Sequence, residues 1–204
     1  MRLLPSGTTA LLAELDDLGQ VQGLYDALCE DPPAGVVDVV PAARTVLVVV
    51  DPEVTSLAAL AQALRSTAPR SGRLEHGELV EVPVVYDGED LADAAGLLGW
   101  DAAELVRRHT SAQWSVAFCG FAPGFGYLAC PDWPAEVPRR SSPRTKVPPG
   151  SVALAGAFSG VYPRESPGGW QLVGRTPLAV FDLSREPAAL LRPGVRVRFV
   201  EQRR

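Results

Sequence analysis

The chain has 204 residues, 47% of them hydrophobic, and a formal net charge of −5. This hydrophobic content can fill the core of one large domain or two small ones, and it excludes an intrinsically disordered chain. The apolar runs are far shorter than the ~20 residues of a membrane-spanning helix, and the N-terminus lacks the features of a signal peptide. The sequence therefore predicts a cytoplasmic protein without membrane contact.

The charge is divided unevenly along the chain. Residues 1–110 contain 18 acidic and 7 basic side chains, a balance of −11, whereas residues 111–204 contain 6 acidic and 12 basic side chains, a balance of +6. An acidic chain disfavours general binding of nucleic acid, but a basic half favours a small anion or an acidic partner surface. We expect a small anionic ligand and no nucleic-acid partner.

The sequence offers few ligands for a structural metal. Its three cysteines, Cys29, Cys119 and Cys130, include no C-x-x-C pair, and its two histidines are His76 and His109. This inventory argues against a disulfide framework and against a structural zinc site. We expect Cys119 and Cys130 to be small buried hydrophobic residues and the chain to hold no structural metal.

The first 85 residues alternate between strand-like and helix-like patterns. Apolar side chains repeat at helical spacing from Leu18 to Leu28 and from Leu57 to Leu64. Strand-like runs lie at 9–14, 36–40, 45–50 and 79–85. The order β-α-β-β-α-β is that of the split βαβ arrangement, in which two helices cover one face of a four-stranded sheet. Residues 1–85 are therefore predicted to form a ferredoxin-like α+β domain.

Two short helices are predicted next. The second begins at Asp101, with Glu104 three positions later as in a capping box, and it closes with His109. A histidine in the last turn has two interpretations of equal weight: it complements the helix dipole, or it has a binding or catalytic role.

From Gln113 onward the pattern changes to short strands broken by glycine and proline. These runs are 113–119, 152–156, 170–173, 178–182 and 195–200. Closely spaced strands with few helices favour a small closed barrel. The second domain, a β-barrel, is predicted to span residues 86–204.

A basic segment follows the first barrel strands. Arg139, Arg140, Arg144 and Lys146 lie in a span, 137–164, that contains no acidic residue, and Arg175 follows in "GRTP". Such cations repel one another unless water screens them or a negative group lies among them. The segment is therefore either a solvated loop or an anion site, and its prolines favour the second because they restrict the chain before binding.

Two glycine-rich motifs carry aromatic residues. They are "GFAPGFGYL" at 120–128, with Phe121, Gly124, Phe125 and Tyr127, and "GVYPRESPGGW" at 160–170, with Tyr162, Gly168 and Trp170. The glycines either form turns with positive φ or let the backbone approach a ligand while the rings exclude water. The chain lacks the phosphate loop, the serine-hydrolase elbow and the zinc-protease helix.

These motifs, together with "PRRSSPRTKVPPGSVALAG" and "GRTPLAVFD", resemble the family of the 5-oxoprolinase B subunit, also called allophanate hydrolase subunit 1 or the Kip-type kinase-A inhibitor, which carries carboxyltransferase subdomains C and D. The likeness is specific from about Val82 to Asp182. It implies a ferredoxin-like domain followed by a cyclophilin-like barrel.

The resemblance also implies partners and substrates. Members act with a C-type subunit (allophanate hydrolase subunit 2) and a third subunit. Together they open 5-oxoproline to glutamate, and ATP, bound with magnesium, is the co-substrate. The alternatives within the family are inhibition of a sensor histidine kinase and a carboxyltransferase module of urea carboxylase. For 5-oxoproline, the two aromatic motifs are expected to form the wall of a cleft, and the five cations are expected to face the substrate anion.

Overall fold

The computed structural model describes residues 1–69 and 77–203, so His76 lies outside the described residues. The chain divides into two compact units, Met1–Arg73 and Leu74–Arg204. This division differs from the predicted boundary at residue 85. The difference arises from the strand predicted at 79–85, which belongs to the sheet of the second unit.

The first unit contains one four-stranded sheet and two helices. The strand order is β1-β2-β4-β3, and each neighbouring pair is antiparallel. The elements are β1 (Arg2–Ser6), β2 (Ala10–Glu14), α1 (Leu18–Glu30), β3 (Val36–Pro41), β4 (Thr45–Val50) and α2 (Leu57–Ser66).

Both helices of this unit begin at side chains that cap them. The Asp17 carboxylate accepts a hydrogen bond from the Gln20 N–H (2.8 Å), and the Ser56 hydroxyl oxygen accepts one from the Ala59 N–H (3.2 Å). The predicted apolar faces of both helices are buried against one face of the sheet. Their core contains Leu11, Ala13, Val21, Leu24, Leu28, Val46, Val48, Leu60 and Leu64.

The fourth strand of this sheet is β1, which corrects the predicted order. β1 forms a hairpin with β2, in which Leu4 pairs with Leu12, and the turn contains Gly7 at a φ of 66°. The order along the chain is thus ββαββα, and the strand at 79–84 pairs elsewhere. β1 escaped the sequence pattern because it is an edge strand whose side chains are largely exposed, so it lacks an apolar alternation.

The second unit is built on a seven-stranded sheet with the order β12-β9-β10-β7-β6-β13-β5, and β8 and β11 form a separate two-stranded ribbon. The elements are β5 (Leu79–Val84), α3 (Leu91–Leu97), α4 (Ala102–Ser111), β6 (Trp114–Cys119), β7 (Gly126–Ala129), β8 (Arg144–Val147), β9 (Ser151–Ala155), β10 (Phe158–Val161), β11 (Ser166–Gly168), β12 (Gln171–Arg175) and β13 (Arg196–Glu201).

The two edges of this sheet meet and nearly close it into a barrel. Val85 and Arg175 exchange two backbone hydrogen bonds of 2.9 Å, just beyond the end of β5 and at the end of β12. The Gly88 N–H then donates to the Val173 carbonyl oxygen (3.2 Å), and the Asp90 N–H donates to the Leu172 carbonyl oxygen (3.0 Å). We call the contact between residues 85–90 and 171–175 the seam. The barrel expected from the sequence is therefore confirmed as a nearly closed, barrel-like sheet.

Side chains of the barrel strands alternate between two faces. Along β10, Ser159 and Val161 belong to the inner core, whereas Phe158 and Gly160 lie on the outer face. A bulge in β6 between Val116 and Phe118 moves Phe118 to the outer face beside Tyr127. The inner core contains Leu105 of α4 together with Trp114, Val116, Leu128, Leu154, Val161, Val173 and Phe199.

The structure bears on the predicted cap of α4 and on the strand predicted at 178–182. Asp101 caps α4, because its carboxylate accepts a hydrogen bond from the Glu104 N–H (2.7 Å). The strand predicted at 178–182 is wrong: only Phe181 forms an isolated bridge there, with Ala189. Within residues 1–69 and 77–203, no helix is both long enough and apolar enough to cross a membrane.

The seam leads to a first prediction. A Cβ on Gly88 would lie 2.2 Å from the Leu172 carbonyl oxygen, a backbone atom that cannot move without opening the seam. We expect Gly88→Ala to lower the free energy of unfolding by about 3 kcal/mol, measured by urea denaturation. The matched control is Gly96→Ala in α3, where a Cβ meets nothing within 4 Å and stability rises by about 0.5–1 kcal/mol. An unchanged unfolding midpoint for Gly88→Ala would show that the seam is not tightly packed.

Candidate functional site

The outer face of the barrel carries a cluster of aromatic rings that we call the outer aromatic cluster. Phe125 lies at its centre, with ring centroids 5.4 Å from Phe121, 5.2 Å from Tyr127, 5.2 Å from Tyr162 and 5.3 Å from Trp170. These pairs are edge-to-face, the arrangement that the aromatic quadrupole favours. Phe118 and Phe158 pack against Tyr127 and complete the cluster.

The cluster has a buried base and an open rim. Phe125, Tyr162 and Trp170 are buried, whereas Phe121 is 57% exposed and Tyr127 is half-buried. The sequence predicted that all five rings would line a cleft. Three of them instead form the base on which the other two stand, and only Phe121 and Tyr127 present their rings to solvent.

Phe121 is held in an unusual backbone conformation. Its φ is 67°, the only positive value among the described residues other than glycine. The Ala122 N–H donates to the Gly120 carbonyl oxygen (2.7 Å) across it, which is the hydrogen bond of a γ-turn. A bulky residue rarely adopts positive φ, and such strain persists where the surrounding structure imposes it, commonly at functional sites.

The glycines of the two motifs are explained by close packing against rings. A Cβ on Gly168 would lie 2.3 Å from the Tyr162 hydroxyl oxygen. A Cβ on Gly160 would lie 2.9 Å from the Phe125 ring. Gly124 combines a φ of 80° with an approach to Phe181, whose Cβ would lie 2.4 Å from an added Cβ. The turn interpretation therefore applies to Gly124, and the close approach there is to Phe181 of the chain itself.

The Asp90 carboxylate fastens the basic segment to the barrel. It accepts hydrogen bonds from Arg140 Nη1 (2.6 Å), from Arg144 Nη1 and Nη2 (both 2.8 Å) and from the Leu172 N–H (2.8 Å). Asp90 is buried. Burial favours its protonated form, but the hydrogen bonds and the arginine charges outweigh that effect and lower the pKa of the Asp90 carboxyl below its ordinary value of 3.8.

Other acidic side chains neutralise most of the remaining predicted anion-binding residues. Lys146 is paired with Glu165 (3.2 Å), and Arg175 with Asp87 (3.0 Å). Arg144 also reaches the exposed Glu89 (3.0 Å). The expectation that a ligand must supply the missing negative charge therefore does not hold for these residues or for Arg140, because chain folding brings acids from 87–90 and position 165 to them.

Arg139 differs from the other four cations. Its side chain is exposed, and within the described residues it has neither an ion pair nor a side-chain hydrogen bond. The backbone on both sides of it is fixed: the Pro138 carbonyl oxygen accepts from Gln171 Nε2 (3.0 Å), and the Arg140 N–H donates to the Gly169 carbonyl oxygen (2.8 Å). Arg139 is therefore held beside Trp170, at the edge of the outer aromatic cluster.

His109 lies in the inner core, completely buried, with its ring stacked on Phe199 at a centroid distance of 4.2 Å. Its Nδ1 is 2.7 Å from the Tyr86 hydroxyl, and its Nε2 is 2.9 Å from the Ser159 hydroxyl. Ser159 in turn donates to the Ala153 carbonyl oxygen (3.4 Å). Ser159 therefore accepts from the Nε2–H, and Tyr86 donates to Nδ1.

Burial keeps this histidine neutral, since it lowers the pKa of His109 from 6.5 to about 3. Its ring faces the inner core, away from the outer aromatic cluster. The catalytic role of His109 stays a prediction, but it cannot be exerted at the outer aromatic cluster, because a fully enclosed imidazole cannot touch a ligand there. Its two hydrogen bonds satisfy a buried polar ring between α4 and the barrel strands.

Sequence reasoning missed three residues of this region: Asp90, Tyr86 and Ser159. Asp90 lies in "YDGED", a polar stretch that resembles a linker, and the clue was its cluster of acids between a strand and a helix.

Within the described ranges, no group of three or more histidine, cysteine, aspartate or glutamate side chains could hold a metal ion. Cys119 is not activated either, because burial raises the pKa of its thiol to about 11.

The chain has clear relatives among known proteins. Residues 1–191 match the family described as carboxyltransferase domain, subdomain C and D. Over 207 residues the chain is 37% identical to the B subunit of 5-oxoprolinase from Escherichia coli O157:H7, a match that covers 97% of this chain and 94% of that protein.

Solved structures agree with the fold. The chain superposes on the crystal structure of TTHA0988 with a TM-score of 0.77 and 36% identity, over 96% of this chain and 40% of that one, so it spans about two fifths of that protein. It is also similar to the Kluyveromyces lactis urea carboxylase, with a TM-score of 0.70 over 23% of that chain. At 18% identity, this second likeness concerns the fold alone.

Asp90 gives a second prediction. We expect Asp90→Asn to lower the free energy of unfolding by about 3 kcal/mol at pH 7, because two arginines lose a buried counter-ion. The folded-state pKa lies below 3.8, so this stabilisation is present above pH ~4 and is lost as the pH falls through the folded value. Urea denaturation from pH 7 to 3 measures both effects. The control Glu89→Gln removes the exposed partner of Arg144 and should cost less than about 1 kcal/mol; equal losses in both variants would contradict a special role for Asp90.

His109 gives a third prediction. The unfolded chain binds a proton at this histidine below pH 6.5, whereas the folded chain does not until about pH 3. Stability should therefore fall as the pH is lowered from 6.5 to 5, with up to about 1.4 kcal/mol per pH unit coming from His109. In His109→Gln the slope of unfolding free energy against pH should be shallower by that amount, whatever the stability at pH 7. An identical slope in the two proteins would show that the imidazole is protonated in the folded chain.

Proposed function

Because the chain belongs to the family of carboxyltransferase domains, subdomains C and D, we propose that it is a subunit of an ATP-dependent 5-oxoprolinase and helps to open 5-oxoproline to glutamate with a C-type partner and a third subunit. The observation that carries the proposal is the likeness to the B subunit of 5-oxoprolinase over nearly the full length of both proteins. The protein then works in the cytoplasm, where ATP is available.

The outer aromatic cluster is the surface that best suits such a substrate. 5-Oxoproline is a compact ring with one carboxylate and one lactam amide. Exposed Phe121 and half-buried Tyr127 offer it an apolar wall with one hydroxyl group, and Arg139 offers a positive charge at the edge of that wall. Gly124, Phe125, Tyr162, Gly168 and Trp170 support the wall from below.

The other predicted site residues take supporting roles in this proposal. Arg140 and Arg144 hold the basic segment on the barrel through Asp90. Lys146 and Arg175 are paired at the surface with Glu165 and Asp87, where exposed ion pairs contribute little stability. His109 fixes α4 to the barrel core and is not part of the ligand surface.

ATP and magnesium are assigned to no residue of this chain. Within residues 1–69 and 77–203 no acidic cluster fits a metal ion, and the sequence has no phosphate loop. The nucleotide is therefore left to the partner subunits, and the part proposed for this chain is limited to binding and orienting the ring. Orientation alone can contribute a large share of catalysis when reacting groups lie on two proteins.

A second function is favoured by one observation, the description of the family as a carboxyltransferase domain. A carboxyltransferase module of urea metabolism would use the same barrel with a biotin-carrying partner. The two functions differ in their small substrate, which is urea in one and a ring carboxylate in the other. Urea is neutral, so only the ring carboxylate needs a cation beside the aromatic wall. An exposed arginine at that position favours the ring carboxylate.

The fourth prediction tests the assembly. We expect the purified chain alone to hydrolyse ATP negligibly, and its complex with a C-type subunit and a third subunit to hydrolyse ATP when 5-oxoproline is added. Co-purification and steady-state ATP hydrolysis measure these outcomes, with urea as the comparison substrate. Stimulation by urea but not by 5-oxoproline would support the second function instead. Rapid 5-oxoproline-dependent turnover by the isolated chain, or failure of the proteins to co-purify, would refute the proposed division of labour.

A further inference from the structure

We propose that Arg139 alone among the five cations binds the ligand carboxylate, and that the outer aromatic cluster with Arg139 selects compact ring carboxylates. The inference rests on the proposed function and specifies how its surface recognises the substrate.

Three of the four cations of the basic segment are held in ion pairs. Arg140 and Arg144 share the buried Asp90 carboxylate, and Lys146 has Glu165. Moving Arg140 or Arg144 to a ligand would leave Asp90 buried with an incomplete set of partners, and an uncompensated buried charge is costly. Arg139 meets no such penalty, because within the part of the chain that the structure describes its side chain has no partner to give up.

The backbone of Arg139 lies beside that of Trp170. Residues on both sides of Arg139 are hydrogen-bonded to residues on both sides of Trp170: Pro138 to Gln171, and Arg140 to Gly169. The first of these bonds is made by the Gln171 side chain and the second joins the two backbones, so both hold residues 138–140 beside residues 169–171. Pro138 further restricts the chain at this point. The backbone of Arg139 is therefore fixed beside the aromatic cluster while its side chain remains exposed.

Electrostatics agrees with this position. Burial raises the pKa of Tyr127 and of Tyr162, and the positive charge of Arg139 opposes the rise at both hydroxyl groups. Its guanidinium thus lies within electrostatic reach of both phenol groups. Tyr127 is the more accessible of the two, because Tyr162 is buried beneath Phe121.

A ligand of this surface must suit three groups: the Arg139 guanidinium, the Phe121 ring and the Tyr127 hydroxyl. An arginine binds a carboxylate through two parallel hydrogen bonds. The exposed Phe121 ring, standing edge-on to Phe125 and Tyr162, offers an apolar surface that a ring can cover. The Tyr127 hydroxyl can donate to a polar ring atom. A compact ring with one carboxylate and one amide or carbonyl group satisfies all three.

The experiment measures binding to the full chain by its intrinsic tryptophan fluorescence, supported by chemical-shift changes. The probes are 5-oxoproline, its neutral carboxamide, and cyclopentanecarboxylate. The variants are Arg139→Gln and a matched control, Arg198→Gln. Arg198 is an exposed arginine on β13, paired with Glu81, two strands away from β7 in the sheet.

We expect the wild-type chain to bind 5-oxoproline at least about tenfold more tightly than the carboxamide, as loss of a charge-assisted contact implies. This preference should disappear in Arg139→Gln and persist in Arg198→Gln, with melting temperatures unchanged in both. Cyclopentanecarboxylate should keep the dependence on Arg139 but bind more weakly, because it has no group for Tyr127. Equal binding of acid and carboxamide by the wild type, a preference that survives in Arg139→Gln, or no binding of any probe would overturn the proposal.

Failure of the Arg139 assignment and failure of the 5-oxoprolinase function give different results. If the assembled complex shows 5-oxoproline-dependent ATP hydrolysis with the same KM in wild type and Arg139→Gln, the function stands and the assignment of Arg139 fails. If the complex lacks that activity but the chain retains an Arg139-dependent preference for ring carboxylates, the assignment stands and the 5-oxoprolinase function fails.

Discussion

The carboxylate of Asp90 is the interaction on which the second unit depends. It is buried, and its hydrogen bonds come from the Leu172 backbone and from two arginines about 50 residues along the chain. A buried carboxylate that lacks these partners is unfavourable by several kcal/mol. The seam supplies the Leu172 N–H to Asp90, and the basic segment supplies the two arginines. If either contact is missing, Asp90 lacks part of its hydrogen bonds, so the two contacts form together. The turn that contains Gly169 and Trp170 lies between the seam and the basic segment. The position of Trp170 therefore depends on both contacts.

The two faces of the barrel sheet divide stability from recognition. The inner face is largely apolar, and Tyr86, His109 and Ser159 form a set of hydrogen bonds within it that needs no external partner. The outer face is aromatic but incomplete, since Phe121 is strained and more than half exposed. A buried polar group with every bond satisfied contributes to a unique core. An exposed ring held in a strained turn contributes little to folding, and its cost is better explained by a ligand or a partner surface.

Much of this architecture follows from the sequence, and the exceptions have physical causes. The apolar faces of α1 and α2 and the cap of α4 were predicted, and the motifs identified the family correctly. Strands were harder, because β1 is an exposed edge strand and β5 pairs with β13, more than 110 residues away. No local pattern states which sheet a strand joins. For the same reason the sequence could name the aromatic motifs but could not separate the buried base from the exposed rim.

The basic segment shows most clearly where local reasoning ends. A span without acids along the chain is not a span without acids in space, and Glu89, Asp90 and Glu165 together offset three of its four positive charges. The number of cations in a motif is thus a poor measure of an anion site. What matters is which cation keeps a fixed backbone and an uncommitted side chain after folding, because only such a group can bind a ligand without first breaking an internal ion pair. In this barrel that criterion separates Arg139 from its immediate neighbour Arg140, two residues that the sequence alone leaves equivalent.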